Sequence, residues 1–324
     1  MFMRFRTEIE HTPLKATIDY STKIFAVGSC FATNIATRLA RAKFRIVTSP
    51  TGILFNPASI ARTLTAFATN QAADPARIVS RGEEWVSLDC HSDLMQPTAK
   101  LAAERYNSAI AAGRDALLAA DCVIITLGTA WVYEHTATGA IVANCHKQPQ
   151  KEFSRRRLST SEICEMFRPL LGGILSSKQV IFTISPVRHI ADGLAENSLS
   201  KATLRIAVAE LCNEFSNADY FPAYEIVTDD LRDYRFYADD LVHPSSQAVE
   251  YIWEKFVASA LTTEAQQLLP KVEKIVAAAA HRPLNPQSEE YRKFCSRHIS
   301  EAKALSLIDF SSECAIFAQY SEKN

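Results

Sequence analysis

The chain has 324 residues, 48% of them hydrophobic and 22% charged, and a formal net charge of −1 at pH 7. This length predicts one α/β domain of more than about 200 residues with an appendage. Because positive charge is not in surplus, composition argues against nucleic acid or an anionic membrane as the main partner. The sequence has no signal-peptide core and no apolar run of membrane-spanning length, which favours a soluble cytoplasmic protein.

The eight cysteines are scattered along the chain and form no C-x-x-C pair. Their spacing therefore predicts neither a zinc site nor a dense disulfide framework. We expect a protein that uses no metal and no cofactor.

Short apolar runs alternate with helix-periodic segments after an irregular lead-in over residues 1–23. Strands are predicted at 24–27, 44–47, 84–89, 122–127, 131–133, 141–143, 179–184 and 224–227. Helices are predicted at 30–39, 57–67, 96–120, 160–175, 198–215 and 247–261. This alternation predicts a parallel, doubly wound sheet whose ligand crevice lies outside the carboxyl ends of its strands.

The corner after the first strand carries two side chains that can act as nucleophiles. Gly28 ends the strand, and Ser29 and Cys30 then lie beside the unpaired amides of a helix N-terminus. These amides favour negative charge, so they lower a thiol's pKa and can donate to an oxyanion. The alternative is a tight turn that needs small residues for steric reasons.

A second stretch, at 239–245, pairs a carboxylate with an imidazole just before a helix. Asp240 precedes His243 by three residues. A short loop of this kind lets the carboxylate orient one ring nitrogen while the other acts as a general base. Asp239 is the alternative orienting group. The competing interpretation is a loop histidine preceded by aspartates that cap the next helix.

Composition changes beyond Thr262, where two helical segments are interrupted at 281–286. We therefore divide the chain into an α/β domain at 1–262 and a C-terminal helical extension at 263–324. The extension packs across the sheet edge, covers the crevice or forms a homo-oligomer; the sequence leaves these alternatives open. The last dozen residues are expected to fray.

The run Gly28-Ser29-Cys30-Phe31-Ala32 resembles the sequence after which the GSCFA domain family is named, and the resemblance covers most of residues 20–260. Further matching segments lie at 50–57, 144–147, 185–189, 200–204 and 233–237. The family belongs to the SGNH/GDSL hydrolase superfamily. This resemblance implies a three-layer α/β/α, flavodoxin-like fold with a parallel sheet, with the nucleophile after the first strand and an Asp and a His near the end.

The superfamily pattern also suggests which corner residue is the nucleophile. In its Gly-Asp-Ser-Leu block the nucleophile stands two residues after the glycine, which corresponds to Cys30. Asn34 follows Cys30 at the interval seen in sugar-polymer acetyl esterases of the superfamily. The resemblance thus implies Cys30 as nucleophile with Ser29 as the alternative, and Asp240 and His243 match the superfamily's second catalytic block.

The oxyanion hole is where the sequence departs from the superfamily. Its third block, Gly-x-Asn, reads Gly128-Thr129-Ala130 here, so the expected carboxamide is missing. Gly52 matches the second block and offers a backbone amide. Substitute donors are the Thr129 hydroxyl and the carboxamides of Asn56 and Asn144.

Three further side chains are predicted to line the crevice and contact substrate: Asn56, Arg188 and His189. The last two follow a predicted strand directly. A guanidinium at Arg188 is suited to a carboxylate or phosphate, with a structural ion pair as the alternative. His91, His146 and Cys145 are expected to be ordinary loop residues.

These patterns favour an acyl-ester hydrolase or acyltransferase with a Cys (or Ser)-His-Asp mechanism, acting on a small-molecule or carbohydrate acyl substrate. The missing block-three asparagine supports an alternative, an inactive binding module for an anionic or sugar-like ligand. A third possibility is an interaction protein that works through its C-terminal helices.

Overall fold

The computed structural model of the chain describes residues 6–10 and 13–321, so the first part of the lead-in lies outside the described residues. Its strands are β1 (Lys23–Gly28), β2 (Arg45–Thr48), β3 (Ile78–Arg81), β4 (Glu84–Ser87), β5 (Cys122–Leu127), β6 (Trp131–His135), β7 (Ala140–Val142), β8 (Phe153–Arg157), β9 (Gln179–Ile184) and β10 (Ala218–Phe221). Its α-helices are α1 (Cys30–Arg41), α2 (Pro57–Thr69), α3 (Ala99–Ala119), α4 (Thr160–Gly172), α5 (Leu194–Glu214), α6 (Ala223–Glu225), α7 (Ser246–Ala260), α8 (Thr263–Ala280), α9 (Glu289–Ala304) and α10 (Ser311–Ser321).

The centre of the molecule is a five-stranded parallel sheet in the order β10-β9-β5-β1-β2. Numbered along the chain, these strands have the 2-1-3-4-5 order of flavodoxin-like proteins. All of β5 is buried, as is β1 after Lys23, because helices cover both faces of the sheet. The predicted three-layer α/β/α architecture is confirmed.

Two apolar layers hold the sheet. On one face α2, α3, α4 and α5 pack through residues such as Leu64, Ile110 and Phe167. On the other face α1 and α7 pack together with the C-terminal helices, and Phe256 and Val272 belong to that same layer.

The C-terminal helices therefore complete one layer of the sandwich. Phe317 of α10 is fully buried, and Lys43 Nζ lies 2.7 Å from a carboxylate oxygen of Glu313. The expectation that the last dozen residues fray is wrong for 313–321, because this buried aromatic anchors them. None of the helices in the described part of the chain combines the length and apolar character needed to cross a membrane.

The structure differs from the predicted elements in three places. Residues 224–227 are helical instead of a strand, and β10 precedes them; Ile226 and Val227 pack into the α1 and α7 layer. A short apolar run does not by itself distinguish a strand from a buried helical turn. β3 lies between the predicted helix at 57–67 and the predicted strand at 84–89, where no strand was predicted, and it pairs with β4. The arginine-rich β8 was not predicted because it lacks an alternating apolar pattern.

Candidate active site

The corner between β1 and α1 requires glycine at position 28. Gly28 has φ +139°, and a Cβ there would lie 2.1 Å from the carbonyl oxygen of Thr126 on β5. L-residues with side chains rarely adopt this conformation, and no space exists for one. The Ser29 amide donates to the same Thr126 carbonyl at 3.0 Å, which turns the chain directly into α1.

The two candidate nucleophiles face different surroundings. Ser29 is 1% exposed, and its hydroxyl has no hydrogen-bond partner among the described residues. Cys30 is partly exposed and lines a cavity of about 540 Å³. Its Sγ lies 3.9 Å from His243 Nε2, whereas Ser29 packs against the backbone at Gly128. The structure thus brings Cys30, and not Ser29, to the imidazole.

The loop before α7 holds the imidazole through Asp240. One carboxylate oxygen accepts from the amides of Val242 and His243, both at 2.9 Å, and the other lies 2.7 Å from His243 Nδ1. The amides of His243 and Val242, followed by the imidazole, lower the pKa of Asp240 to about 2. The carboxylate is therefore charged near neutrality and fixes the ring so that Nε2 points toward Cys30.

The alternative role of the aspartates as helix caps is not what the structure shows. Ser245 caps α7, accepting from the Ala248 amide at 3.2 Å. Asp239, the alternative orienting group, makes no hydrogen bond to His243, which is held by Asp240. A left-handed Leu241, with φ +58°, lets the loop fold back over three residues.

The thiol itself is in an environment that disfavours its charged form. Burial raises the pKa of Cys30, while the amides of Phe31 and Cys30 and the ammonium of Lys201 oppose part of that increase. A thiol in this environment needs a base that accepts its proton as it reacts. His243 is placed for that task.

The cavity lies at the carboxyl ends of the strands, between β1 and β5, where the strand order reverses. Aromatic side chains of Phe55, Trp131 and Tyr133 form much of its wall. The last two belong to the sheet of β6, β7 and β8, of which the sequence predicted only the strands at 131–133 and 141–143. Cys145 also lines the cavity, and burial raises its pKa to about 11.

Gly52 is not brought to the cavity as an oxyanion donor. Its amide donates to the Ser49 carbonyl at 3.1 Å, and the residue lies in a separate surface depression with Asp93 and Arg105. The prediction for Gly52 is therefore wrong in this structure. Its φ of +78° explains why glycine stands there without a catalytic role.

The other proposed donors line the cavity, and each already makes hydrogen bonds within the fold. The Thr129 hydroxyl accepts from the Trp131 amide at 3.1 Å and lies 3.1 Å from Ser200 Oγ. The Asn144 oxygen accepts from the His146 amide at 2.8 Å.

Asn56 is the more buried of the two asparagines, and, as in Asn144, an amide already uses its carboxamide oxygen. Its oxygen caps α2 by accepting from the Ser59 amide at 2.8 Å, which fixes the orientation of the carboxamide. Its nitrogen has no hydrogen-bond partner in the described part of the chain. A fixed carboxamide nitrogen in the cavity that Cys30 also lines is suited to oxyanion stabilisation.

Arg188 and His189 both reach the cavity, as predicted, but in different states. The Arg188 guanidinium lies over the rings of Tyr237 and Tyr234, at 3.9 and 4.9 Å from their centroids. Burial, followed by the positive charge of Lys201, lowers the pKa of His189 to about 4, so its imidazole is neutral at pH 7.

Lys201 lies in the segment at 200–204 that matches the family, but the sequence did not predict its place in the site. It is 1% exposed, and its Nζ donates to the carbonyls of Gly128 and Ser185, both at 2.6 Å. Burial lowers its pKa to about 7. A lysine inside a mostly apolar helix face was the available signal, because lysine is rarely fully buried unless it is paired.

Two models of protein families match the chain. The model of the GSCFA family matches residues 23–256, which include the corner, the cavity and the His243 loop. The model described as the GSCFA domain protein, C-terminal domain, matches residues 272–322. A comparison with curated proteins finds no match. Since the first match alone covers more than half of the sequence, the chain belongs to the GSCFA family.

Proposed function

We propose that the protein is an acyl-transfer enzyme, an ester hydrolase or acyltransferase, that works through a covalent intermediate on Cys30. The observation that supports this most is the line of three side chains from Cys30 Sγ through His243 to Asp240, with separations of 3.9 and 2.7 Å. In apo structures such catalytic contacts are often longer than in the substrate complex.

In the first step Cys30 Sγ attacks the carbonyl carbon of the acyl donor, and its proton passes to His243 Nε2. The tetrahedral intermediate then collapses: the bond to the leaving oxygen breaks, and His243 returns the proton to that oxygen. The product is a thioester on Cys30. Asp240 keeps the imidazole oriented and offsets its positive charge throughout.

The negative oxygen of the intermediate needs donors. The amides of Cys30 and Phe31 belong to the first turn of α1 and oppose part of the rise in the Cys30 pKa, and Asn56 lines the same cavity. We propose these groups as the oxyanion hole, in place of the missing block-three asparagine. The corner architecture and this arrangement also favour membership of the SGNH hydrolases.

Hydrolysis and transfer share the thioester and differ only in the second nucleophile. Water or an acceptor hydroxyl loses its proton to His243 and attacks the thioester carbonyl, and the thiol is restored. The aromatic wall formed by Phe55, Trp131 and Tyr133 is suited to stacking on a sugar ring or another small acceptor. This supports a small-molecule or carbohydrate acyl substrate.

A binding module is the second candidate. Burial raises the pKa of Cys30, and an inert thiol in an aromatic cavity is what such a module requires. The two candidates differ in whether a covalent acyl group accumulates on Cys30.

The test is to treat the folded protein with an activated ester, p-nitrophenyl acetate, and to locate the acetyl group by peptide mass spectrometry. We expect acetyl-Cys30 in the wild type and in Ser29→Ala, and none at this peptide in Cys30→Ala. Acetylation that persists in Cys30→Ala and disappears in Ser29→Ala would assign the nucleophile to Ser29. No adduct in any folded variant would support the binding module.

A further inference from the structure

We infer that the substrate of this site carries an anionic oxygen group, a carboxylate or a phosphate, which Arg188 binds beside the reacting acyl group. This rests on the proposed function and adds the substrate class to it. The argument depends on where the guanidinium lies, on which charges in the cavity are already paired, and on what a stacked guanidinium leaves free.

Arg188 lies next to the catalytic loop. It follows β9 by a few residues, and its amide donates to the Val242 carbonyl at 3.2 Å, immediately before His243. Arg188 and Cys30 line the same cavity. An anion bound at this guanidinium therefore stands close to the thiol and the imidazole.

Nothing within the described residues neutralises this guanidinium. It stacks on the rings of Tyr237 and Tyr234 and lies close enough to the Tyr237 hydroxyl to oppose the rise in the pKa of that group, and no carboxylate lies within ion-pair distance of it in the ranges 6–10 and 13–321. The structural ion pair that the sequence left open as an alternative is therefore not what these residues form.

The other charged groups around the cavity already have partners, and Lys201, which is 1% exposed, donates to the carbonyls of Gly128 and Ser185. Arg155 stacks on Trp131 and forms an ion pair with Asp192, so that this pair contributes little net charge. Asp240 is engaged by two amides and His243. His189 is neutral at pH 7 because its pKa is lowered. Arg188 thus leaves the cavity with a positive charge that a ligand can neutralise.

Stacking determines what Arg188 can recognise. Tyrosine rings cover the face of the guanidinium and keep its N–H groups at the edge available. A guanidinium edge donates two parallel hydrogen bonds, which matches the oxygens of a carboxylate or phosphate. Such a group also explains an aromatic wall next to a cation, because the neutral remainder of the ligand packs on Phe55, Trp131 and Tyr133.

The reactive thiol provides the test, since two alkylating agents of nearly equal size differ in charge. Iodoacetate carries a carboxylate and iodoacetamide does not. We would measure the rate of Cys30 alkylation by each at pH 7 and take the ratio of iodoacetate to iodoacetamide. The urea-unfolded chain supplies the reference ratio without the cavity.

We expect the folded wild type to exceed the reference ratio and Arg188→Gln to lose this preference, a drop of about fivefold or more. Arg188→Lys keeps the positive charge but loses the two parallel N–H donors of the guanidinium, so its ratio is expected to lie between those of the wild type and Arg188→Gln. The matched control is Arg235→Gln: it makes the same charge change nearby, at a residue that pairs with Asp233 and does not line the cavity. The control should leave the ratio unchanged.

The outcomes separate the two proposals. The inference is overturned if iodoacetamide alkylates Cys30 but the folded protein shows the same iodoacetate-to-iodoacetamide ratio as the unfolded chain. It is also overturned if Arg188→Gln keeps the wild-type ratio. In both cases the proposed function stands. If neither reagent reaches Cys30, the proposed function fails, and binding decides the inference instead. Calorimetric titration with malonate and with inorganic phosphate would then show saturable, Arg188-dependent binding of one of them; binding of neither overturns the inference.

Discussion

The amino and carboxyl ends of the strands in the central sheet carry the same residue types, but these residues have different roles at the two ends. At the amino ends of the strands, Lys178 Nζ donates to two carbonyls, at 3.0 and 2.7 Å, and Asn217 Nδ2 donates to two more, at 2.8 and 3.0 Å. Asp121 accepts from the Lys23 amide at 2.8 Å. Every one of these polar groups is used to hold the backbone of neighbouring loops.

At the carboxyl ends a lysine, an asparagine and an aspartate again bind the backbone, but each retains a further interaction. Asp240 binds two amides and also His243; Asn56 caps α2 and keeps its nitrogen free for the cavity. Lys201 bridges two strand ends, and its positive charge opposes the rise in the Cys30 pKa. At the carboxyl ends, polar side chains that bind the backbone still have a donor, an acceptor or a charge available near the thiol and the imidazole. The proposed chemistry depends on these remaining groups.

The largest effect is expected from Asp240→Asn. An asparagine presents an N–H group to His243 Nδ1 instead of an acceptor, so the ring loses the tautomer that accepts the Cys30 proton. We expect the rate of Cys30 acylation to fall about 10²- to 10⁴-fold. Stopped-flow or manual-mixing assays with p-nitrophenyl acetate measure it.

Two controls sharpen this prediction. Asp239→Asn removes the neighbouring carboxylate and should leave the acylation rate within about twofold. Asp121→Asn weakens the backbone contact at the opposite edge and should lower only stability. An acylation rate in Asp240→Asn equal to that of Asp239→Asn would contradict the assigned role.

A smaller effect is expected at Asn56, where the cap and the donor can be separated. Asn56→Asp keeps an oxygen that caps α2 and removes the carboxamide nitrogen; its acylation rate should fall about 10²-fold with stability retained. Asn56→Ala should show the same loss of rate and also lose about 1 kcal/mol of stability. Urea unfolding and acylation assays measure the two properties.

The corresponding change at the amino ends of the strands is Asn217→Ala. It removes two hydrogen bonds to carbonyls and should lower stability without changing the acylation rate. If Asn56→Asp acylates at the wild-type rate, Asn56 is only a helix cap, and the oxyanion donors are the backbone amides alone.

The smallest effect on reactivity is expected from the buried lysines. Lys201→Met and Lys178→Met each leave two carbonyls without their lysine donor, so both should lose stability, by about 1–3 kcal/mol per group. Only Lys201→Met changes a charge near Cys30, and because the pKa of Lys201 is about 7, the midpoint of Cys30 alkylation should rise only slightly, by about half a pH unit or less. Equal midpoints in the two variants would show that Lys201 is purely structural.

Stability should also depend on pH through Lys201. Burial lowers its pKa from 10.5 to about 7, so between these values the unfolded chain binds a proton that the folded chain does not. The free energy of unfolding contributed by this group therefore rises with pH from about 7 to about 10.5. Urea midpoints of the wild type should rise over this range relative to those of Lys201→Met; a parallel pH dependence would contradict the shift.

Much of the fold follows from local sequence signals. Strands β1, β5 and β9 are mostly apolar runs ended by Gly or Ser-Pro, and α4 begins at Thr160, where a helix was predicted, with a capping box of Ser159 and Glu162. β10 was misplaced because its sequence, ADYF, has no apolar run, whereas the following helical turn does. Packing against α1 and α7 decides that case, and no local pattern reports it.

The site was predictable where one short segment contains the geometry. The three-residue interval from Asp240 to His243 and the glycine corner before Cys30 are local, and the structure brings their side chains together. The roles of Gly52 and Lys201 depend on which carbonyls lie nearby in three dimensions. A linear motif does not contain that information. The sequence therefore assigned Gly52 an oxyanion role that the structure does not support, and it did not predict the role of Lys201.

The most direct test of the account is the pH dependence of iodoacetamide alkylation at Cys30 in the wild type and in His243→Ala. Burial raises the pKa of this thiol in the folded chain, so without the imidazole the midpoint should lie above about 8.5. In the wild type His243 Nε2, 3.9 Å from the sulfur, is placed to accept the proton of the reacting thiol, so the midpoint should be at least about one unit lower than in the variant. The same midpoint in both proteins would contradict the claim that Cys30 and His243 form the catalytic pair.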